Sequence, residues 1–210
     1  KDLFVENDFV YMKTVKGKLK VDCIYRRLDD TFLDPKVFNK ESLIGVPGLF
    51  KCWKKGNVGI INALGTGVAD DKAVYSYVNK MIVYYLGEQP KLNQVETFLC
   101  ENKVHRQHVI ENIAKLVVKP ANASGGYGIM IGPKAPKKER EEMIKKIKKN
   151  PRDFVAQPLE ILSTIPTICE NGIEPRHLDL RPFILTGKTS YVTTGGLTRV
   201  ALRKGSTIVN

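Results

Sequence analysis

A lysine at the end of an apolar run, followed within nine residues by three glycines, is the stretch of this chain best suited to chemistry: Leu116-Val117-Val118-Lys119-Pro120-Ala121-Asn122-Ala123-Ser124-Gly125-Gly126-Tyr127-Gly128-Ile129. A strand that ends on Lys119 offers a point charge to phosphate oxygens. Three glycines in four positions let backbone N–H groups close over a polyphosphate as a flexible flap. Taken alone, the stretch also fits any glycine-bearing hairpin.

Its company sharpens the reading. Leu19-Lys20-Val21-Asp22-Cys23-Ile24-Tyr25 alternates as a strand and delivers Arg26-Arg27-Leu28-Asp29-Asp30 at its end, while the short apolar run Val58-Gly59-Ile60-Ile61 delivers Asn62. Hard oxygen ligands and a cation therefore converge on one sheet edge, as divalent cation and phosphate chemistry requires. Asp70-Asp71-Lys72 adds a second lysine at a helix start, and Arg181 a further cation. Singly, Asp29 and Asp30 can cap a turn, Asn62 can satisfy loop backbone, and Arg181 can pair with Asp179.

Other motifs fail on inspection. Gly187-Lys188-Thr189 ends like a phosphate-binding Walker loop, but Pro182 stands where the first glycine belongs. Gly65-Thr66-Gly67 lacks the third glycine of a dinucleotide fingerprint. His105 and His108 lie three apart with no Cys or carboxylate cluster at ligand spacing, and His177 fits a strand end as well as a base. Asn122-Ala123-Ser124 is a formal glycosylation acceptor that means nothing without a secretory route.

The elements that must carry these residues follow from periodicity. Residues 3 to 25 alternate as strands with a turn at Lys16-Gly17-Lys18. Ala73, Val74, Tyr77, Val78, Met81, Ile82 and Tyr85 repeat at three and four, which predicts a helix over 70–86 capped by Asp70 or Asp71. A second helix is expected over 102–114, strands over 115–120 and 129–131, and a helix over 136–150 with Met143, Ile144 and Ile147 inward and Glu141/Lys145 and Glu142/Lys146 paired outside. Further strands are expected at 154–157, 177–185 and 197–202. Strands and helices mix without strict alternation, so the fold class is α+β.

Composition bounds the rest. The 210 residues carry a formal charge of +12 with 42% hydrophobic residues, which suits a folded chain rather than a disordered one. No apolar run approaches the ~18 residues of a membrane span. Eight positive charges fall in 134–149 against three negative ones. No aromatic residues interleave with them to stack bases, so they read as a solvated helix face and nucleic acid is not expected as a partner. Cys23, Cys52, Cys100 and Cys169 form no C-x-x-C pair, which suits a reducing, cytoplasmic setting. The chain opens on Lys1-Asp2-Leu3 and stops within an apparent strand, and is read as a piece of a longer protein.

The segments VDCIYRRLDDTFLDP, LIGVPGLF, NALGTGVADDKAVYSYV, MIVYYLGE, LVVKP, SGGYG, AQPLEILST, PRHLDLRPF and GGLTRVALRKGS, from about Val21 to Asn210, resemble the circularly permuted ATP-grasp ligases, in particular the group similar to glutathionylspermidine synthases. In ordinary ATP-grasp enzymes the Arg-x-Asp and Glu-x-Asn motifs follow the glycine loop; here Arg27-Leu28-Asp29 and Asn62 precede it. The resemblance implies two α+β lobes with nucleotide between them, divided as 1–71 (permuted sheet segment with metal and acyl-phosphate residues), 72–156 (glycine-loop lobe) and 157–210 (hinge and second lobe segment). It implies that Lys72 and Lys119 contact the α- and β-phosphates of ATP and that Ser124, Gly125, Gly126, Tyr127 and Gly128 cover the γ-phosphate. Gln157, Leu159 and Glu160 belong to the adenine and ribose hinge. On the same resemblance Asp29 and Asn62 look like Mg²⁺ ligands, and Arg27, with Arg181 as second candidate, is expected to neutralise the acyl-phosphate. The implied activity joins a small-molecule or peptide carboxylate to an amine. Where the family places the metal-ligating glutamate this chain has Ile60, so one ligand is either missing or supplied by Asp30, Asp70, Asp71 or sequence beyond Asn210. The alternative is a catalytically degenerate nucleotide-binding module that regulates or scaffolds.

Overall fold

The computed structural model describes residues 2–122, 127–206 and Val209. Contacts divide the chain into two compact units, Lys1–Pro158 and Leu159–Asn210.

The first unit begins with an antiparallel meander of β1 (Leu3–Glu6), β2 (Phe9–Thr14) and β3 (Gly17–Lys20). Asn7 and Asp8 both take positive φ between β1 and β2, the two-residue turn whose twist matches the flanking strands. Next come β4 (Cys23–Tyr25), the short helix α1 (Asp30–Leu33), α2 (Leu49–Lys54) and β5 (Gly59–Ile61), which pairs parallel with β4, Ile24 opposite Ile60. The N-cap of α2, Gly48, has no side chain to satisfy the first N–H groups. Buried Asp34 does so from outside, accepting from Gly48 N at 3.1 Å and Phe50 N at 3.0 Å. Val10, Leu33, Leu49, Cys52 and Val58 form the core here, with Ile60 and Trp53 packed against it.

The helix expected over 70–86 is broken. A 3₁₀ turn at Thr66–Asp70 precedes α3 (Lys72–Tyr75) and α4 (Val78–Met81), and a π-helical turn at Ile82–Leu86 closes the run. Asp71, not Asp70, is the N-cap. The interruption falls at Ser76 and Tyr77, where Ser76 Oγ donates back to Ala73 O at 2.7 Å, a local bond that competes with the helix ladder. The apolar stripe that suggested one helix leaves Tyr84, Tyr85 and Leu86 exposed.

A second core follows. β6 (Phe98–Leu99), α5 (Lys103–Glu111, capped by Asn102), β7 (Leu116–Pro120), β8 (Met130–Ile131), α6 (Lys137–Lys149) and β9 (Phe154–Pro158) build an antiparallel sheet of order β6-β9-β7-β8 with helices packed on it. Val118, Met130, Ile147 and Ala156 are buried at 0–1% exposure. Met143 and Ile147 face inward from α6 and Ile144 packs beside them, as the spacing predicts. Among the described residues the ion pair on the outer face of α6 is Lys137 with Glu141, at 3.9 Å, in place of the expected Glu141/Lys145 and Glu142/Lys146.

The second unit is an antiparallel sheet of β10 (Thr164–Cys169), β11 (Gly172–Thr186) and β12 (Ser190–Val200), with a register shift between Pro182 and Ile184. Among the described residues no helix is long and apolar enough to cross a membrane, and the four cysteines are free thiols.

Gly132 marks the tightest backbone approach in the second core: a Cβ there would stand 1.9 Å from Ile113 O and 2.5 Å from Leu116 O. Gly132→Ala is expected to cost about 1–3 kcal/mol as the backbones part, lowering Tm by roughly 3–10 °C for a chain of this size. Gly195→Ala, with nothing within 4 Å of the added carbon, leaves Tm unchanged. Thermal melts of both variants check the pair.

Candidate functional site

The parallel strands β4 and β5 end side by side, and their trailing loops line one cavity of about 360 Å³ with Arg26, Arg27, Asp29, Asp30, Asn62, Thr66 and Asp70 on its wall. The structure therefore brings Arg27, Asp29 and Asn62 together, as the sequence suggests. Each also does local work. Asp29 caps α1, with Oδ1 accepting from Thr31 N at 2.8 Å; that N–H holds its carboxyl below the usual carboxylate range. Asn62 sits at φ 61°, a left-handed conformation that asparagine tolerates, and its amide nitrogen donates to Arg26 O at 2.8 Å. With that nitrogen engaged, Oδ1 remains the atom open to a ligand.

The two arginines of this loop behave oppositely. Arg27 is exposed and forms no ion pair among the described residues. Arg26 is only 7% exposed and spends its guanidinium inside the protein, on Asn62 O, Leu28 O, Ala63 O, Thr66 Oγ1 and the Asp30 carboxylate.

Of the carboxylates considered as a substitute ligand, Asp30 is thus taken by Arg26 and also accepts from Gly65 N at 2.9 Å. Asp71 is taken too: Oδ1 accepts from Ala73 N at 2.8 Å and Oδ2 from Arg152 at 2.7 Å. Burial pushes the Asp71 carboxyl up, but these donors outweigh it and hold the group below its ordinary value. Asp70 lines the cavity with no such partner among the described residues. Ile60 packs against the first core, where a glutamate would bury its charge. Among the described residues no three His, Cys, Asp or Glu side chains are placed to hold a metal ion by themselves. The donor set of Asp29 and Asn62 nonetheless fits Mg²⁺, which commonly takes one or two protein oxygens and completes its shell from substrate phosphates and water.

At the end of β7, Lys119 is half-buried, and its ammonium donates to Gln157 Oε1 on the neighbouring β9 at 2.6 Å. Gln157 is turned this way by its other end: Nε2 donates to Thr97 Oγ1 at 2.8 Å, and Thr97 donates to Val95 O at 3.0 Å. Burial first, and then the charge of Lys72, push the Lys119 ammonium below its usual pKa of 10.5. Lys72 opens α3, and its N–H donates to Ala121 O at 3.0 Å, just before the glycine run. Asp71, the cap of that helix, is tied by Arg152 to the 3₁₀ turn Pro151–Asp153 that leads into β9. Two lysines from distant parts of the sequence are thereby held within electrostatic reach of each other.

Ser124, Gly125 and Gly126 lie outside the described residues. Tyr127 is 81% exposed and Gly128 takes φ 72° against Pro120, so the end of the glycine run rests on the strand that carries Lys119. Leu159, Glu160 and Arg181 belong to the second unit. Glu160 and Arg181 are exposed, and Arg181 Nε stands 3.8 Å from Asp179, whose closer partner is Arg199.

Sequence reasoning missed Arg26, Thr97 and Arg152. The Arg26-Arg27 doublet signals charge but not which guanidinium turns inward. Thr97 and Arg152 reach their partners over 60 and 81 residues, a separation that no local pattern carries.

A family model described as circularly permuted ATP-grasp type 2 matches residues 1–201. The whole chain is 52% identical to an uncharacterised protein of Synechocystis, of which it spans 44%, and 49% identical to one of Mycobacterium tuberculosis, of which it spans 38%. It is also 42% identical over 210 residues to a Frankia casuarinae protein provisionally named glutamate–cysteine ligase 2-2, of which it spans 24%. The chain thus spans less than half the length of these relatives. Because the family match runs through both loops that line the cavity, through the lysine strand and into the second unit, the chain belongs to the circularly permuted ATP-grasp family, type 2.

Proposed function

We propose that this chain carries the nucleotide and acyl-phosphate site of an ATP- and Mg²⁺-dependent carboxylate–amine ligase. The observation that carries the reading is Lys119: a half-buried ammonium held by a neutral amide, repelled by a second lysine and, among the described residues, paired with no carboxylate. Such a cation is costly without an anion, and a polyphosphate supplies one. Family membership and the Frankia name, a glutamate–cysteine ligase, support the same class of reaction. The narrower likeness to glutathionylspermidine synthases and the cytoplasmic setting are part of this reading.

In it, residues 1–71 supply the metal and acyl-phosphate residues, 72–156 the glycine-loop lobe and 157–210 the hinge and second lobe segment. A substrate carboxylate oxygen attacks the γ-phosphorus of ATP and ADP leaves. The amine of the second substrate then attacks the acyl carbon, phosphate departs, and the amine nitrogen gives up a proton as the amide forms. Lys119 and Lys72 hold the α- and β-phosphates, the Ser124–Gly128 segment covers the γ-phosphate, and Arg27 with Arg181 neutralises charge on the acyl-phosphate. Gln157, Leu159 and Glu160 serve adenine and ribose. Asp29 and Asn62 would hold Mg²⁺, which draws charge off the transferring phosphoryl group when bound. No protein nucleophile is involved, so rate comes from positioning and charge neutralisation.

Calorimetric titration tests the site. The chain is expected to bind MgADP with Kd in the range of about 1–100 μM, and Lys119→Met to weaken it at least tenfold while melting like the parent. An absence of binding at millimolar MgADP overturns the reading, and nucleotide binding without substrate-dependent phosphate release in the full-length protein leaves only a degenerate module.

The pH dependence carries a definite sign. Because the cationic form of Lys119 binds phosphate and its pKa in the free chain lies below 10.5, binding pulls that pKa back up and takes up a proton. ADP affinity should therefore fall as pH rises from 8 toward 10.5, more steeply in the parent than in Lys119→Met. Titrations at four or five pH values in that window measure the difference.

A further inference from the structure

The strands that carry the two ligand loops are three residues long and, among the described residues, are paired only with each other in a two-stranded parallel sheet. A ladder that short cannot by itself fix the loops that leave it. The geometry points to Arg26 as the residue that does so: its buried guanidinium cross-links the Arg27–Asp29 loop to the Asn62 loop and so positions the divalent-cation subsite.

The bonds run in both directions. Arg26 Nε donates to Asn62 O at 2.6 Å, and Nη2 to Ala63 O at 2.8 Å and Thr66 Oγ1 at 3.0 Å, all on the β5 side. Nη1 donates to Leu28 O at 2.8 Å and to the Asp30 carboxylate, both on its own loop. In return, Asn62 Nδ2 donates to Arg26 O, and Gly65 N to Asp30. All five N–H donors of the guanidinium are used, and one planar group fixes the peptides on either side of Ala63, the first of which carries the Asn62 carbonyl, as well as the turn between Arg27 and Asp29. A lysine has the charge but not the fork, so it cannot reproduce this set. Arg26 reaches the cavity wall, but all of its donors are spent on protein groups, so it acts through Asn62 and Asp29 and is a positioning residue, whereas the exposed Arg27 beside it keeps its donors for a ligand.

The inference rests on the ligase reading for what the loops hold. Arg26→Lys and the milder Thr66→Val, each in the full 210-residue chain, separate positioning from simple stability. ADP affinity is measured by calorimetry without metal, and Mn²⁺ binding to the ADP complex by electron paramagnetic resonance. Arg26→Lys is expected to keep metal-free ADP affinity within twofold of the parent and to weaken Mn²⁺ at least tenfold; Thr66→Val weakens Mn²⁺ two- to fivefold at an unchanged melting profile. A purely structural role predicts equal loss of both ligands, in step with the folded fraction. That result, or parental Mn²⁺ affinity in both variants, overturns the inference while ADP binding by the parent upholds the ligase reading. A parent that binds no ADP sinks the reading and the inference together.

Discussion

A guanidinium taken out of water costs several kcal/mol unless every donor finds a partner, and Arg26 meets that condition by binding three backbone carbonyls, a hydroxyl and one carboxylate. The surrounding chain has little freedom once those bonds are made. Asn62 must hold its left-handed backbone, Asp30 must turn inward at the first turn of α1, and the Ala63–Thr66 loop must fold back over the strand ends. The exposed Arg27, Asp29 and Asp70 complete the cavity wall around this bonded cluster.

The lysine half of the site is secured differently. Lys119 and Gln157 stand on adjacent strands of a sheet that buries Val118 and Ala156 completely, so their spacing is inherited from the ladder. Lys72 depends on the N-cap of a four-residue helix and on a link between Asp71 and a half-exposed Arg152, a pair worth about 1 kcal/mol or less on its own at that exposure. One lysine is set by a sheet ladder and the other by a helix cap and a surface ion pair.

Much of this was legible in the residues. The strand ending on Lys119, the inward stripe of α6 and the convergence of Arg27, Asp29 and Asn62 follow from period, glycine placement and strand-end logic. The helix over 70–86 did not come through whole, because periodicity registers where apolar residues recur and is blind to a serine that bonds its own backbone at the break. Strand β10 and the full length of β11 and β12 were hidden by proline, glycine and threonine, which dilute alternation. Gln157 illustrates the deeper limit: its resemblance role lies with its backbone, while its side chain aims Lys119 through a chain of amide and hydroxyl bonds that only the folded sheet creates.

Trp53, the one tryptophan of the chain, packs against the first core, with its ring 5.6 Å from that of Phe50. The second core, around Val118 and Ile147, has no indole. Excitation at the red edge of the aromatic band therefore reads the first core, on which Ile24 of β4 and Ile60 of β5 also pack, and the core around Val118 and Ile147 is silent in the same spectrum. The molecule carries a built-in optical label that reports on one of its two cores in isolation from the other.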